Sequence, residues 1–269
     1  MKRVLIIIIL AVCPICVTIG QSLNNISDLG KLNLNGKVKA TKQRFYDAIN
    51  ENGVYTKGKA NSGDSNNYEN IDTEFDVYGN IAEVSRLRFQ DEGLVEKDIY
   101  RYENGKLVEI VTNNSKGDLS KKLIFEYDEK GNKIKESFFA RPDADPAFTT
   151  YSYNEMGLLN KTVTYYGFII ENKYDKKGNI LSITKKNDGN TWLTKYTYNE
   201  NNKLIRTDNY VNKKVVGTVN YSYDENGKLI PPKSNFVFEE LDKQGNWIKR
   251  VKFNHGIYFF IERTIEYYE

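Results

Sequence analysis

The sequence predicts an all-β protein built as a meander of antiparallel hairpins. Tyrosine occurs 20 times against two methionines and one histidine, a composition typical of pleated, half-buried surfaces. A turn motif recurs about every 25 residues, and the segments that enter it alternate with a period of two. Two reversals per repeat predict up to about eighteen strands, and so long a sheet is expected to curl into a single-sheet spiral or half-barrel. Nothing after residue 20 has a convincing helical period.

The recurring motif is an aromatic residue, a short polar residue and, two or three positions further on, a glycine. YDEKGNKI at Tyr127 is one copy, and YDENGKLI at Tyr223 is another. The eight copies begin at Phe75, Tyr102, Tyr127, Tyr153, Tyr174, Tyr198, Tyr223 and Leu241. Self-similarity at this period indicates a repeat architecture.

Each copy has the chemistry of a tight hairpin turn. The polar side chain can accept hydrogen bonds from backbone N–H groups inside the turn, and the glycine suits the positive φ of a type I turn followed by a bulge. At Asn202 an asparagine replaces the glycine, and Asn104-Gly105 favours a two-residue turn with two positive φ angles. The residues predicted to form turns are Asp128, Gly131, Asp175, Gly178, Asp224, Gly227 and Gly245.

Aromatic residues are the candidate ligand-binding groups. An aromatic residue stands two positions before most repeat tyrosines and therefore shares a strand face with it. Exposed rings can stack on sugars or anchor a protein partner, whereas the alternative is that they form only the packing face of the sheet. The candidates are Trp192, Trp247, Tyr151, Tyr196 and Tyr221.

The first twenty residues have the pattern of an export signal. A basic start, Lys2-Arg3, leads into an apolar run that is short and ends in small residues, which favours cleavage before Gln21 over a permanent membrane span. The alternative is a lipoprotein signal with Cys13 as the attachment site, although Val12 fits that pattern poorly. Both interpretations place the protein outside the cytoplasm, either secreted or at the cell envelope.

Cleavage at that point would leave a chain with no cysteine, no membrane span and almost no net charge. Its 37 basic and 36 acidic residues form no block of one sign, so nucleic acid is not an expected partner. The domain organisation predicted from these patterns is a signal peptide at 1–20, a degenerate repeat or cap at 21–70, and the hairpin repeats with a closing strand at 71–269.

The sequence shows no recognisable catalytic, metal or cofactor site. His255 is the only histidine, and its position before Gly256 indicates a turn. The repeated aspartates occupy equivalent turn positions, whereas a catalytic carboxylate pair needs two unlike environments. A glycan hydrolase remains the enzymatic alternative, and it requires two acids outside the turns, such as Glu126 with Glu136 or Glu171, to face one another.

Across residues 71–256 the motif resembles the YD repeats, also called Rhs repeats, of bacterial surface and secreted proteins. The resemblance implies an extracellular β-sheet spiral, which in large members forms a shell around a C-terminal toxin, and carbohydrate binding has been associated with such repeats. This chain is far shorter and has only eight copies, so a toxin-enclosing role is not expected.

These observations predict an exported, non-enzymatic binding or scaffold protein of the bacterial cell envelope. A glycan or an envelope protein is the expected partner, and the sequence does not define an oligomeric state. An accessory or immunity-like fragment of a toxin system is the further alternative, and it rests on the family likeness alone.

Overall fold

The structure is a computed structural model that describes residues 27–60, 70–89, 91–227, 229–230, 236–254 and 257–269. The predicted signal peptide, Cys13 and His255 lie outside these residues. Within them, no helix has both the length and the apolar character needed to cross a membrane.

The described chain consists of one short helix and twenty strands. In order they are α1 (Asp28–Lys31), β1 (Val38–Glu51), β2 (Val54–Ala60), β3 (Asn70–Phe75), β4 (Ile81–Leu87), β5 (Leu94–Glu103), β6 (Lys106–Asn114), β7 (Leu119–Tyr127), β8 (Lys133–Phe139), β9 (Ala147–Tyr153), β10 (Leu159–Val163), β11 (Ile169–Tyr174), β12 (Ile180–Asn187), β13 (Asn190–Tyr198), β14 (Leu204–Val211), β15 (Lys214–Asn220), β16 (Ser222–Tyr223), β17 (Leu229–Ile230), β18 (Phe236–Leu241), β19 (Trp247–Asn254) and β20 (Ile257–Tyr267).

The predicted fold class is confirmed. Eighteen of the described strands belong to one long antiparallel meander sheet that is not closed, and β16 and β17 form a separate two-stranded hairpin. The helix α1 was not predicted. Ser27 precedes it and accepts a hydrogen bond from Gly30 N through its side chain, and the helix ends after one turn.

The chain divides into two compact units. The first unit is the stretch Thr150–Pro232, and the second combines Leu23–Thr149 with Lys233–Glu269. In the first unit, β9 to β15 pair in sequence order, each strand with the next. Each of these pairings is a local hairpin.

The second unit has a less local topology, because its first and last strands are neighbours. β1 pairs along most of its length with β20, from Val38↔Tyr267 to Asp47↔Phe259. On its other side β1 pairs first with β3 and then with β2. The strands β3 to β8 follow in sequence order, and β18 and β19 extend the sheet beyond β20.

The repeat turn is a three-residue hairpin loop with a glycine in the left-handed region. In the Asp128 copy, Asp128 N donates to Asn132 O at 2.9 Å and Gly131 N donates to Asp128 O at 2.9 Å. The Asp128 carboxylate accepts from both the backbone N and the side-chain amide of Asn132, at 2.8 and 2.9 Å. Gly131 has a φ of 85°, and Asn202 takes the same conformation at 63°, as predicted.

The shorter turn at Asn104-Gly105 also has the predicted conformation. Its φ angles are 50° and 73°, and Glu103 and Lys106 form the pair that closes the loop. Two positive φ angles are what a type I′ turn requires, and its twist matches that of the flanking strands.

Four repeat tyrosines connect their hairpin to the preceding one. A shift in strand register, which marks a β-bulge, lies directly beside the repeat aromatic in most copies, as at Tyr127 and Tyr198. The tyrosine hydroxyl donates to a backbone carbonyl at the start of the strand that leaves the previous repeat turn. These bonds are Tyr127 to Leu107 O (2.7 Å), Tyr174 to Leu159 O (2.8 Å), Tyr198 to Ile180 O (3.1 Å) and Tyr223 to Leu204 O (2.9 Å).

The helix α1 takes the place of a preceding hairpin for the Tyr102 copy. The Tyr102 hydroxyl donates to Asp28 Oδ2 at 2.9 Å, and the same oxygen accepts from Ile81 N at 3.0 Å. Burial alone would raise the pKa of Asp28, but these hydrogen bonds and Lys31 lower it overall. Leu29 of the helix is buried.

The buried side chains of the second unit form two apolar clusters. One consists of Leu29, Leu34, Val38 and Phe75, and the other of Phe45, Phe259 and Ile261. Both clusters include residues from β1 and are completed by side chains of β20. The pairing of β1 with β20 therefore brings the apolar side chains of the second unit together.

Replacing Gly178 by alanine tests the conformational requirement of the repeat turn. Gly178 has a φ of 86°, and an added Cβ would lie 3.6 Å from Leu158 Cδ1, an ordinary contact. The positive φ of the backbone, and not a steric clash, therefore determines how much stability the substitution removes. We expect Gly178→Ala to lower the free energy of unfolding by about 1–2 kcal/mol, measured by urea denaturation.

The control is Gly217→Ala, since Gly217 lies in a strand and the nearest atom to its added Cβ is 4.0 Å away. This variant is expected to be neutral or slightly more stable. Equal losses of stability in both variants would contradict the turn explanation.

Replacing Tyr198 by phenylalanine removes one bond between hairpins. We expect a loss of about 1 kcal/mol at neutral pH. Burial raises the pKa of Tyr198 to about 12. The stability that the neutral phenol contributes is therefore fully present below about pH 10, its usual pKa, and is lost as the pH rises towards 12.

Thermal unfolding of the wild type and of Tyr198→Phe from pH 8 to 12 measures this effect, and the gap in melting temperature is expected to narrow above pH 10. Tyr78→Phe is the control, because Tyr78 is 81% exposed. A gap that stays constant over this range would contradict the assignment.

Candidate ligand-binding surface

The two faces of the sheet in the first unit differ in charge. Alternation along the paired strands places Lys161, Glu171, Lys195 and Asp208 on one face. The opposite face, which we call the tyrosine face, bears aromatic, threonine, asparagine and aliphatic side chains. This face also carries Lys185, which pairs across the sheet with Trp192, but it is rich in rings and hydroxyl groups and is chemically suited to polar ligands.

The structure places the three predicted ligand-binding tyrosines on or beside this face, where they are half-buried. Tyr151 is paired across the sheet with Thr162, and the Tyr221 hydroxyl lies 3.4 Å from Thr207 Oγ1. Burial raises the pKa of Tyr196. The arrangement shows these rings packed within the sheet and only partly accessible.

Trp192 lies on the same face but at its edge, and it is 37% exposed. Its strand, β13, is separated from β11 by β12. The turn between β10 and β11 contains Tyr165, Tyr166 and Phe168. The Phe168 and Trp192 ring centroids are 6.0 Å apart, and those of Tyr165 and Tyr166 are 4.0 Å apart. We call these four residues the aromatic rim.

The rim is held in place by hydrogen bonds between neighbouring turns. Asn212 connects the β14–β15 turn to the β12–β13 turn: its Oδ1 accepts from Thr191 N at 2.8 Å, and its backbone N donates to Thr191 O at 2.8 Å. Asn212 Nδ2 also donates to Asn190 Oδ1 at 3.1 Å. These bonds fix the positions of Asn190 and Thr191, which directly precede Trp192.

Lys185 lies between the two rings of the rim that come from different turns. Its Nζ is 3.9 Å from the centroid of Phe168 and 5.9 Å from that of Trp192. The cation–π contacts hold both rings against one ammonium group. A binding surface that is ordered before the ligand arrives loses less conformational entropy on binding.

Sequence analysis did not identify Tyr165, Tyr166 or Phe168. Their turn follows the repeat geometry, because Gly167 N donates to Thr164 O and Phe168 N donates to Thr164 Oγ1. The signal in the sequence was a threonine at the position of the acid with a glycine three residues later. Val163 and Thr164 stand where most copies have an aromatic residue and an acid.

Trp247 is in a different environment, in the second unit. The guanidinium carbons of Arg263 and Arg250 lie 3.8 and 4.5 Å from its ring centroid. The ring also packs against the cluster of Phe45, Phe259 and Ile261. These contacts occupy the ring, so the structure separates the two tryptophans that the sequence grouped together.

The predicted turn residues lie in the turns and are engaged there. Hydrogen bonds from the side chain of Asn179 lower the pKa of Asp175, and those from Asn132 do the same for Asp128. Asp224 accepts from Gly227 N and Asn226 N. Gly178, Gly227 and Gly245 all have positive φ angles.

Glu126 and Glu136, which were named for the hydrolase alternative, do not face one another. Glu136 is paired across the sheet with Phe125, so the adjacent Glu126 lies on the opposite face, where it contacts Lys135. Glu171 lies in the first unit and forms an ion pair with Lys186. Among the described residues, no group of three or more potential metal ligands is present.

Two other acids do share a partner. Arg86 Nη1 lies 2.9 Å from Glu96 Oε1 and 2.8 Å from Asp98 Oδ2. Thr112 Oγ1 donates to Asp98 at 2.6 Å, and Lys121 contacts Glu96 at 3.0 Å. The network lies on the face of β5 that carries Tyr100, and sequence analysis missed it because Arg86 and Thr112 come from neighbouring strands.

No protein-family model matches the chain, and no curated protein matches it in sequence. Among solved structures, a porin-like protein from Bacteroides uniformis has a TM-score of 0.42 at 11% identity, covering 86% of this chain and 99% of that one. A TcdB2–TccC3 structure has a TM-score of 0.25 at 13% identity, and the Photorhabdus luminescens Tc holotoxin pore 0.27 at 15%.

The two toxin structures cover 74% and 79% of this chain, which spans only 13% and 12% of the toxin chains. All three TM-scores are low. The function is therefore inferred from the residues of this chain.

Arg86→Gln would leave two largely buried carboxylates without their shared cation. We expect it to lower the free energy of unfolding by about 2 kcal/mol, less than for a fully buried pair because the side chains retain some exposure. Thermal unfolding at pH 7 measures the loss. Arg88→Gln is the control, since the Arg88–Asp91 pair is exposed and should leave the melting temperature unchanged. Similar losses for both variants would contradict a special role of the network.

Proposed function

We propose that this chain is an exported, non-enzymatic β-repeat protein of the cell envelope that binds glycans through the aromatic rim of its first unit. The observation that carries the proposal is the rim itself. At one edge of the first unit the rings of Tyr165 and Tyr166 lie side by side, as do those of Phe168 and Trp192, and Tyr166 and Trp192 are 56% and 37% exposed.

The chemistry of the rim suits the ring faces of sugars. The C–H-bearing faces of a pyranose are apolar and stack on aromatic rings, while its hydroxyl groups need hydrogen-bonding partners nearby. Asn190 and Asn212 supply side-chain amide groups in the adjacent turns, and both residues are exposed. A surface of this kind binds an extended chain more readily than a small, fully enclosed molecule.

Export is supported by the sequence alone. The basic and apolar first twenty residues have the pattern of a secretory signal, and the chain after them contains no cysteine. A secreted or envelope-associated glycan-binding protein meets its ligand in that compartment.

The assignment separates Trp192 from Trp247. Trp192 retains an accessible surface at an edge of the tyrosine face, whereas Trp247 is stacked against two arginines and an apolar cluster. Glycan binding should therefore depend on the first tryptophan and be insensitive to changes that spare the rim.

A glycan array probed with purified residues 21–269 tests the proposal. We expect saturable binding to a restricted set of glycans. Trp192→Ala and Tyr166→Ala should each weaken binding to the strongest of them about tenfold, the equivalent of about 1.4 kcal/mol lost with one stacking contact.

Tyr78→Ala is the matched control, because Tyr78 is also a turn tyrosine and is more exposed than Tyr166. Its binding should equal that of the wild type. An array without any saturable signal, or an equal loss in the Tyr78 variant, would sink the proposal.

A further inference from the structure

A groove in the second unit is lined by a fixed arginine that has no ion-pair partner among the described residues. The groove has a volume of about 530 Å³ and lies between the β18–β19 turn and the C-terminal half of β20. Arg263 lines it together with Asp242, Gln244, Ile248, Glu262 and Ile265.

The Arg263 guanidinium is held in a defined orientation. Nε donates to Trp247 O at 2.9 Å, and Cζ lies 3.8 Å from the centroid of the Trp247 ring. One edge of the planar group is therefore anchored to the protein. Its two terminal nitrogens carry the remaining donors, which match the two oxygens of a carboxylate.

Most neighbouring charges have closer partners, and the attraction of Asp242 and Glu239 offsets only part of the cost of burying the Arg263 cation. Arg250 contacts Glu239, Glu262 contacts Lys57 at 2.6 Å, and Lys249 contacts Glu240 at 2.9 Å. Asp242 Oδ2 accepts the hydroxyl hydrogen of Tyr267. Burial, and to a smaller extent Arg250, lower the pKa of Arg263 to about 10. Both effects disfavour an unneutralised cation at this position.

We propose that this groove is a binding site for a small monocarboxylate, with the carboxylate paired to the terminal nitrogens of Arg263. The site is independent of the aromatic rim, which lies in the other unit. Ile248 and Ile265 provide apolar surface for the carbon skeleton of the ligand, and Gln244 provides a side-chain amide.

Asp242 is an acid of the lining whose charge acts on Arg263, whereas Glu262 precedes Arg263 in β20 and its side chain lies on the opposite face of the sheet. Asp242 would repel the second charge of a phosphate bound at Arg263, whereas its carboxylate can accept hydrogen bonds from hydroxyl groups of a ligand. A hydroxylated carboxylate of the size of a sugar acid fits this combination of groups and the groove volume.

The chain provides its own reporter, because it contains two tryptophans. In a Trp192→Phe background Trp247 is the single tryptophan, and the guanidinium of the proposed site lies on its ring. The readout comes from Trp247 in the second unit, so failure of the proposed glycan binding at the rim and failure of the carboxylate site give separate results.

The experiment titrates D-glucuronate into the Trp192→Phe protein at constant ionic strength and follows Trp247 emission. We expect a saturable change and an increase in melting temperature of about 3 °C at a tenfold excess over Kd. Glucose, the neutral counterpart, should produce neither effect. Inorganic phosphate should bind at least tenfold more weakly.

Two variants in the same background test the residue. Arg263→Gln should abolish the saturable change. Arg263→Lys keeps the charge but loses the fork of donors, and should weaken binding about tenfold while circular dichroism shows the same fold. Arg88→Gln is the control, with unchanged binding. The lysine variant decides the question if the glutamine variant does not fold.

Three results would overturn the proposal. They are the absence of a saturable response to glucuronate, an undiminished response in the Arg263→Lys variant, and an equal response to sodium chloride. Phosphate binding as tight as glucuronate binding would overturn the assignment of a monocarboxylate.

Discussion

The hydrogen bond from a repeat tyrosine to a carbonyl of the preceding hairpin is the interaction on which the repeated architecture depends. A hairpin of two strands is marginal alone, and backbone pairing by itself permits slippage of register. The hydroxyl of Tyr127, Tyr174, Tyr198 or Tyr223 reaches one particular carbonyl, so each bond fixes both the register and the side of the sheet. The bulge beside the tyrosine and the capped turn after it belong to the same hairpin and position the same hydroxyl group. This explains why the aromatic, the acid and the glycine recur together.

The same constraint separates structural rings from accessible ones. Four repeat tyrosines donate their hydroxyls to the backbone and Tyr102 donates to Asp28, while Tyr196, two residues before Tyr198, is half-buried beside it. In the first unit, Tyr166 and Trp192 are accessible where the chain turns at the other end of the strands. In the second unit, Arg86 is paired with Glu96 and Asp98, whereas Arg263 in the groove has no ion-pair partner among the described residues.

Much of this fold was predictable because its information is local. The alternation of Tyr196 and Tyr198, the positive φ of Asn202 and the two-residue turn at Asn104-Gly105 depend on a few neighbouring residues, and the sequence displays them directly. The helix at Asp28 was missed because a single turn has no measurable period, and its stability comes from Ile81 and Tyr102. The environments of Trp192 and Trp247 also differ for nonlocal reasons. Two arginines and an apolar cluster, which together come from β1, β19 and β20, contact Trp247. No sequence pattern around residue 247 indicates these contacts.

The pairing of β1 with β20 has a consequence for the order in which the protein assembles. The ion pair between Lys39 and Glu266 spans 227 residues, so the second unit cannot be completed until the last strand has been synthesised and, in an exported chain, translocated. Until then β1 has an unpaired edge of the kind that invites association with other chains. The hairpins of Thr150–Pro232 depend only on their neighbours and can form earlier. A chaperone that shields newly exported strands would therefore matter most for the segment that emerges first.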